Sequence, residues 1–118
     1  MRVIEPYFQF QDERGGITGL IQGMALREVN LIRSQAGTIR GGHYHEKTQE
    51  VFCILSGAIE VSLTDRQGGR SEVFLVGPGK VFLVEPGEVH TFRVLEDSTW
   101  INLLDQVMDP AAPDIHRP

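Results

Sequence analysis

The run Gly37-Thr38-Ile39-Arg40-Gly41-Gly42-His43-Tyr44-His45-Glu46-Lys47-Thr48-Gln49-Glu50 constrains this chain more than any other stretch. His43 and His45 are two residues apart, so on a strand both imidazoles leave the same face. Glu50 has the opposite parity and joins them only if the chain turns in between. Glu46-Lys47-Thr48 is polar enough to make that turn, and Gln49 to Leu55 reads as the returning strand. Two imidazoles and a carboxylate on a rigid hairpin form most of a ligand set for a divalent transition metal. A further ligand-type residue, His90, follows Pro86-Gly87, so three of the chain's four histidines fall in this pattern.

The remaining sequence predicts an all-β protein. Candidate strands are Val3 to Gln9, Ile17 to Ile21, Leu26 to Arg33, Gly42 to His45, Gln49 to Leu55, Ala58 to Thr64, Ser71 to Val76, Lys80 to Val84, Val89 to Leu95 and Thr99 to Leu104. They are bounded by turn chemistry at Glu13-Arg14-Gly15-Gly16, Gln67-Gly68-Gly69, Gly77-Pro78-Gly79, Pro86-Gly87 and Glu96-Asp97-Ser98. Ile59, Val61 and Leu63 alternate with polar Glu60 and Ser62, as in a half-buried strand. Val51 to Leu55 is apolar on both faces, which suits a strand covered on both sides. No segment carries a helical stripe; Asp105 to Met108 has room for one short turn before Pro110. Short antiparallel strands at this spacing predict a barrel or jelly roll. The expected organisation is one domain over residues 1–109 and a loosely ordered tail over 110–118.

Charge and cysteine content narrow the function. The net charge is −5 and the basic residues are scattered, which argues against nucleic acid or an anionic membrane as partner. Cys53 is the only cysteine and lies in an apolar run, so it reads as a buried hydrophobe. The N-terminus lacks the apolar stretch of a secretory signal and no run is long enough to span a bilayer, so the expected location is cytoplasmic.

In its motifs the chain resembles the cupin superfamily. The first cupin motif is filled by Gly37, His43, His45, Glu50 and Gly57 at every spacing. In the second, Gly79, Gly87 and His90 stand in register, whereas the proline slot holds Glu85, Pro86 comes one residue late, and the final Asn slot holds Val94. The resemblance implies a single β-barrel (double-stranded β-helix or jelly roll) of two antiparallel sheets. It also implies one divalent metal (iron, manganese, nickel or zinc) held by His43, His45, Glu50 and His90, with positions open to water or substrate. A narrower likeness links Asp12-Glu13-Arg14-Gly15, Ile17-Thr18-Gly19-Leu20 and Arg40-Gly41-Gly42-His43-Tyr44-His45 to cupins acting on nucleotide sugars, the dTDP-4-dehydrorhamnose epimerases and dTDP-sugar ketoisomerases. In metal-free ketoisomerases the histidines are catalytic and the glutamate slot is commonly not Glu, so Glu50 favours a metal-bearing relative.

Three functions remain open at this point: a sugar-nucleotide isomerase or epimerase, a non-haem metal dioxygenase, and a ligand-binding cupin without turnover. The expected ligand is a small molecule, contacted by Arg40 as a phosphate partner and by Phe52 and Phe92 (with Ile54 and Val94) as apolar wall. Tyr44, between the two histidines, should point to the opposite face, and Trp100 reads as core or interface. A two-fold homodimer is expected, with Val3, Tyr7 and Phe8 as candidate interface residues.

Overall fold

The computed structural model describes residues 2–118. Nine strands follow in order: β1 (Arg2–Val3), β2 (Phe8–Asp12), β3 (Gly15–Gly19), β4 (Glu28–Ser34), β5 (Ile39–His43), β6 (Glu50–Asp65), β7 (Ser71–Val76), β8 (Val81–Val84) and β9 (Glu88–Leu104). There is no helix among the described residues, and none therefore long and apolar enough to cross a membrane.

Two long strands organise the barrel. β6 and β9 pair antiparallel along nearly their whole length inside one seven-stranded sheet, and each bends midway; the β2–β3 hairpin is a separate two-stranded sheet. The first half of β6 pairs with β8, which in turn carries β1; its second half pairs with β7. The first half of β9 pairs with β5 and its second half with β4. The bend lies at register shifts between Ile54 and Ile59, where bulges interrupt the ladder. Gly57 makes the bend possible. It has φ +94°, and a Cβ there would fall on Ser98 and the Asp97 carbonyl of the paired strand.

This corrects the strand expectations in three places. Gln49 to Leu55 and Ala58 to Thr64 are one strand, and so are Val89 to Leu95 and Thr99 to Leu104. The expected gap at residues 56–57 and the expected turn at Glu96-Asp97-Ser98 are bulges that bend paired strands without ending them. The expected Val3 to Gln9 strand breaks around Pro6, giving β1 and the separate β2–β3 hairpin. Pro lacks the N–H a continuous ladder needs.

Inward residues of the seven-stranded sheet make the core. Phe52, Ile54, Ile59, Val61, Leu63, Val76, Phe82, Val84, Phe92, Val94 and Trp100 are all buried in one cluster. Phe52 stacks on Phe82 at 5.2 Å and contacts Phe92 at 4.8 Å, and Phe92 contacts Trp100 at 5.4 Å. Each such ring contributes about 1.5–3 kcal/mol by leaving water. Val51, Cys53, Val81 and Leu83 face outward but are also buried, under Ile4, Leu20, Ile21 and Met24. That explains the two-sided apolar character of residues 51–55.

The tail departs from its expected looseness. His116 exchanges backbone hydrogen bonds with Tyr44, and Asp114 and Arg117 hydrogen-bond to residues 41–48. Asp105 accepts from the Gln49 amide in place of starting a helical turn.

Candidate metal centre

β5 ends at the site. Its register with β9 slips between Gly41 and His43, so that His43 lies directly across from His90. Gly41 permits the slip: its φ is +90°, and a Cβ would collide with the His90 carbonyl. The chain then turns through Glu46–Thr48 and re-enters as β6 with Glu50. His90 arrives from a different direction. A turn joins the Glu88 amide to the Glu85 carbonyl at 3.2 Å, with Pro86 and Gly87 at its centre. The proline that is one residue late in the motif therefore occupies the first central position of a turn, where its fixed φ fits. The turn is tied to the first motif by the Gly87 amide, which donates to the His45 carbonyl at 2.8 Å.

These elements bring His43, His45 and His90 together, with one ring nitrogen from each lying within 4.8 Å of the others. Such a group could hold a metal ion. Glu50 Oε1 lies 2.8 Å from His45 Nε2 and 3.4 Å from His90 Nε2. Its other oxygen accepts a 2.6 Å hydrogen bond from Asn102 Nδ2. His45, Glu50 and His90 are buried, and His43 is half-buried.

The electrostatics fit a cation. Burial, then the neighbouring His90 and His45, pushes His43 down to about 4. Burial lowers His90 as well. Both rings are thus neutral near pH 7, the form a metal requires. Burial alone would lower His45, but its hydrogen bonds to Glu50 and to the Asp114 carbonyl outweigh that and raise it. Burial alone would raise Glu50, but His45, His90 and Asn102 together hold it down. His45 and Glu50 thus favour each other's charged forms, with Glu50 Oε1 set against His45 Nε2.

The group opens into a cavity of about 300 Å³. Phe52, Phe92 and Trp100 form its apolar wall; Glu28 and Asn30 of β4, with Arg40 at the rim, supply polar groups. Of the expected wall, Ile54 and Val94 are in the core and do not line the cavity. Arg40 is braced on β4: Nε donates to Ser34 Oγ at 2.5 Å and Nη2 to the Arg33 carbonyl at 3.0 Å. Asp12 and Arg14 form the hairpin turn, where Asp12 accepts from the Arg14 amide and guanidinium, and neither lines the cavity. Tyr44 points away, as its parity requires, against His116 and beneath Arg66.

Asn102 and Asp114 were missed by sequence reasoning. Asn102 left a faint signal, a lone amide sharing a face with Trp100 and Leu104 in an apolar strand. Asp114 left none, because its partners are 66 to 69 residues away.

A family model described as a cupin domain matches residues 30–103, a stretch containing His43, His45, Glu50 and His90. No curated protein matches the chain. Among solved structures it is similar to ChmJ, a 3'-monoepimerase from Streptomyces bikiniensis in complex with dTDP, at TM-score 0.81 and 21% identity. That match covers 98% of this chain and 67% of the other. It is also similar to the QdtA 3,4-ketoisomerase from Thermoanaerobacterium thermosaccharolyticum in complex with TDP, at TM-score 0.78 and 22% identity, covering 98% and 86%. The capsular polysaccharide assembling protein CapF from Staphylococcus aureus matches at TM-score 0.73 and 23% identity over 93% of this chain. The chain spans about a third of CapF, 33% of its length. At these identities the likeness is one of fold, and with the family match spanning most of the barrel, the chain belongs to the cupin domain family.

Proposed function

We propose that this cupin binds one divalent transition metal through His43, His45, His90 and Glu50 and acts on a small carbohydrate-derived metabolite as an isomerase or epimerase. The observation that carries the reading is the convergence of three imidazoles and a buried carboxylate at a cavity of about 300 Å³, a size suited to a sugar ring. When bound, the metal would supply Lewis-acid polarisation of a substrate carbonyl. The chain's own residues do the rest. Phe52, Phe92 and Trp100 take one face of the ring and exclude water from it. Asn30 hydrogen-bonds a hydroxyl. Glu28, whose carboxyl is held down by Asn30 and the Met108 amide, is ionised and is the cavity carboxylate not engaged by histidine. It is the proposed base for the C–H beside the carbonyl. Arg40 is braced at the rim, where a diphosphate would leave the cavity. The ChmJ and QdtA structures, in complex with dTDP and TDP, support a nucleotide sugar as the ligand class.

The test is binding of dTDP- or UDP-linked 4-keto sugars, followed by solvent-deuterium wash-in at the carbon beside the ketone. Wash-in that Glu28→Gln abolishes, and nucleotide binding that Arg40→Ala weakens without loss of metal, support the reading. Oxygen consumption with a chelating diketone, and no sugar-nucleotide binding, would replace it with the dioxygenase reading.

A two-fold homodimer belongs to this proposal. On the outer sheet face, Val29, Leu103, Val51 and Leu83 lie in one cross-strand row, and Leu31, Ile101, Cys53 and Val81 in the next. The N-terminal segment covers the half on β6 and β8, while Val29 and Leu31 remain exposed. The β2–β3 hairpin exposes Tyr7, Phe8, Phe10 and Ile17, and a two-stranded ribbon is marginal alone. The hairpin of a second copy is the proposed cover for the open half. Light scattering should give a dimer that Leu31→Glu splits; a monomer at high concentration would refute it.

A further inference from the structure

We propose that the C-terminal segment is a positioning strap for the candidate metal site, with Asp114 as the residue that fixes the ring of His45. The inference rests on the metal-site reading for its consequence, but not for its geometry. The Asp114 main-chain carbonyl accepts a hydrogen bond from His45 Nδ1. A carbonyl only accepts, so Nδ1 must carry hydrogen, and Nε2 is the nitrogen turned toward Glu50 and His90. Which nitrogen faces the site is therefore decided from outside it, across 69 residues of sequence.

The side chain of Asp114 holds that carbonyl in place. Its carboxylate accepts from the amides of Glu46 at 2.9 Å, Lys47 at 2.9 Å and Thr48 at 3.1 Å, and from the Thr48 hydroxyl at 2.9 Å. Those three residues are the turn between His45 and Glu50, so one side chain clamps the link between two candidate ligands. The adjoining residues extend the grip. His116 and Tyr44 exchange hydrogen bonds at 3.0 Å, and Arg117 donates to the carbonyls of Gly41 and Gly42 at 3.0 and 3.1 Å. The segment thus binds on either side of both His43 and His45. Metal-ligating histidines depend on such a partner at the far nitrogen, and its loss typically weakens metal binding by about 10–100-fold.

The experiment uses the full chain with imidazoles labelled in nitrogen-15. Metal-free protein is examined by proton–nitrogen correlation, and zinc affinity by competition with a chromogenic chelator. The wild type should show a slowly exchanging Nδ1–H at His45. Asp114→Ala should lose that signal and bind zinc at least tenfold more weakly. Asp114→Asn, which keeps an acceptor oxygen, should recover part of both. Val76→Ala, a core variant remote from the tail, should lower the melting temperature and leave both readouts unchanged. An Asp114→Ala protein that melts lower but keeps the Nδ1–H signal and wild-type zinc affinity would overturn the proposal. So would a wild type without a protected Nδ1–H. If the wild type binds no zinc, yet Asp114→Ala still loses the Nδ1–H, the strap stands and the metal reading falls.

Discussion

Replacing Asn102 by leucine removes the donor to Glu50 while keeping a branched side chain of similar reach. Asn102 Nδ2 lies 2.6 Å from Glu50 Oε2, and both side chains are buried. Leaving that carboxylate oxygen without its charge-assisted partner costs about 2–3 kcal/mol. Some of this is returned. Asn102 Oδ1 is itself buried with no hydrogen-bond partner among the described residues, and its removal gives back about 1 kcal/mol. The net expectation is a loss of about 1–2 kcal/mol, or about 4–8 °C in melting temperature for a domain of this length. Because the Asn102 bond is one of the interactions holding Glu50 down, its carboxyl should titrate higher in the variant. Circular dichroism melts with a chelator present measure the stability change without metal. A melting temperature within about 2 °C of wild type, or higher, would refute the reasoning. It would mean that Glu50 is satisfied without Asn102.

The other predictions follow from single contacts. Gly57→Ala should destabilise the fold by about 3 kcal/mol or more, since it combines strained φ with a clash at the bend; chemical denaturation checks it. Burial alone would raise the Asp114 carboxyl, but the turn amides and the Thr48 hydroxyl hold it far below its ordinary 3.8. The depressed carboxyl therefore contributes stability that is fully present above 3.8 and is lost as pH falls toward the folded value. Denaturant melts from pH 7 to pH 2.5 should show the gap between wild type and Asp114→Asn constant down to about pH 5 and then shrinking. Trp100 is the chain's only tryptophan and lines the cavity, so ligand entry should change its fluorescence, and a bound ligand that leaves the emission untouched would place binding elsewhere.

Local rules carried the site a long way. Parity placed His43 and His45 on one face, and the polar Glu46–Thr48 turn brought Glu50 back toward them. The position of His90 followed from the resemblance, and the displaced Pro86 did no harm because it fits the turn between Glu85 and Glu88. What failed was long-range. The polar Glu96-Asp97-Ser98 run looks like a chain reversal, yet it and residues 56–57 are bulges within paired strands. Proline and small residues made 110–118 look loose. Asp114 orders that segment through partners in the 45–48 turn, which no window of local sequence contains. Arg40 lines the cavity, and its bracing by Ser34 and the Arg33 carbonyl depends on β4 lying beside it.

Metal content tests the central claim most directly. Protein expressed with iron, manganese, nickel and zinc supplied, then passed over a desalting column, should carry about one transition-metal ion per chain by inductively coupled plasma mass spectrometry. His45→Ala and His90→Ala, each still folded by circular dichroism, should carry almost none. Wild-type protein that is metal-free after this treatment, or variants that retain the full complement, would contradict the assignment of His43, His45, Glu50 and His90 as a metal centre.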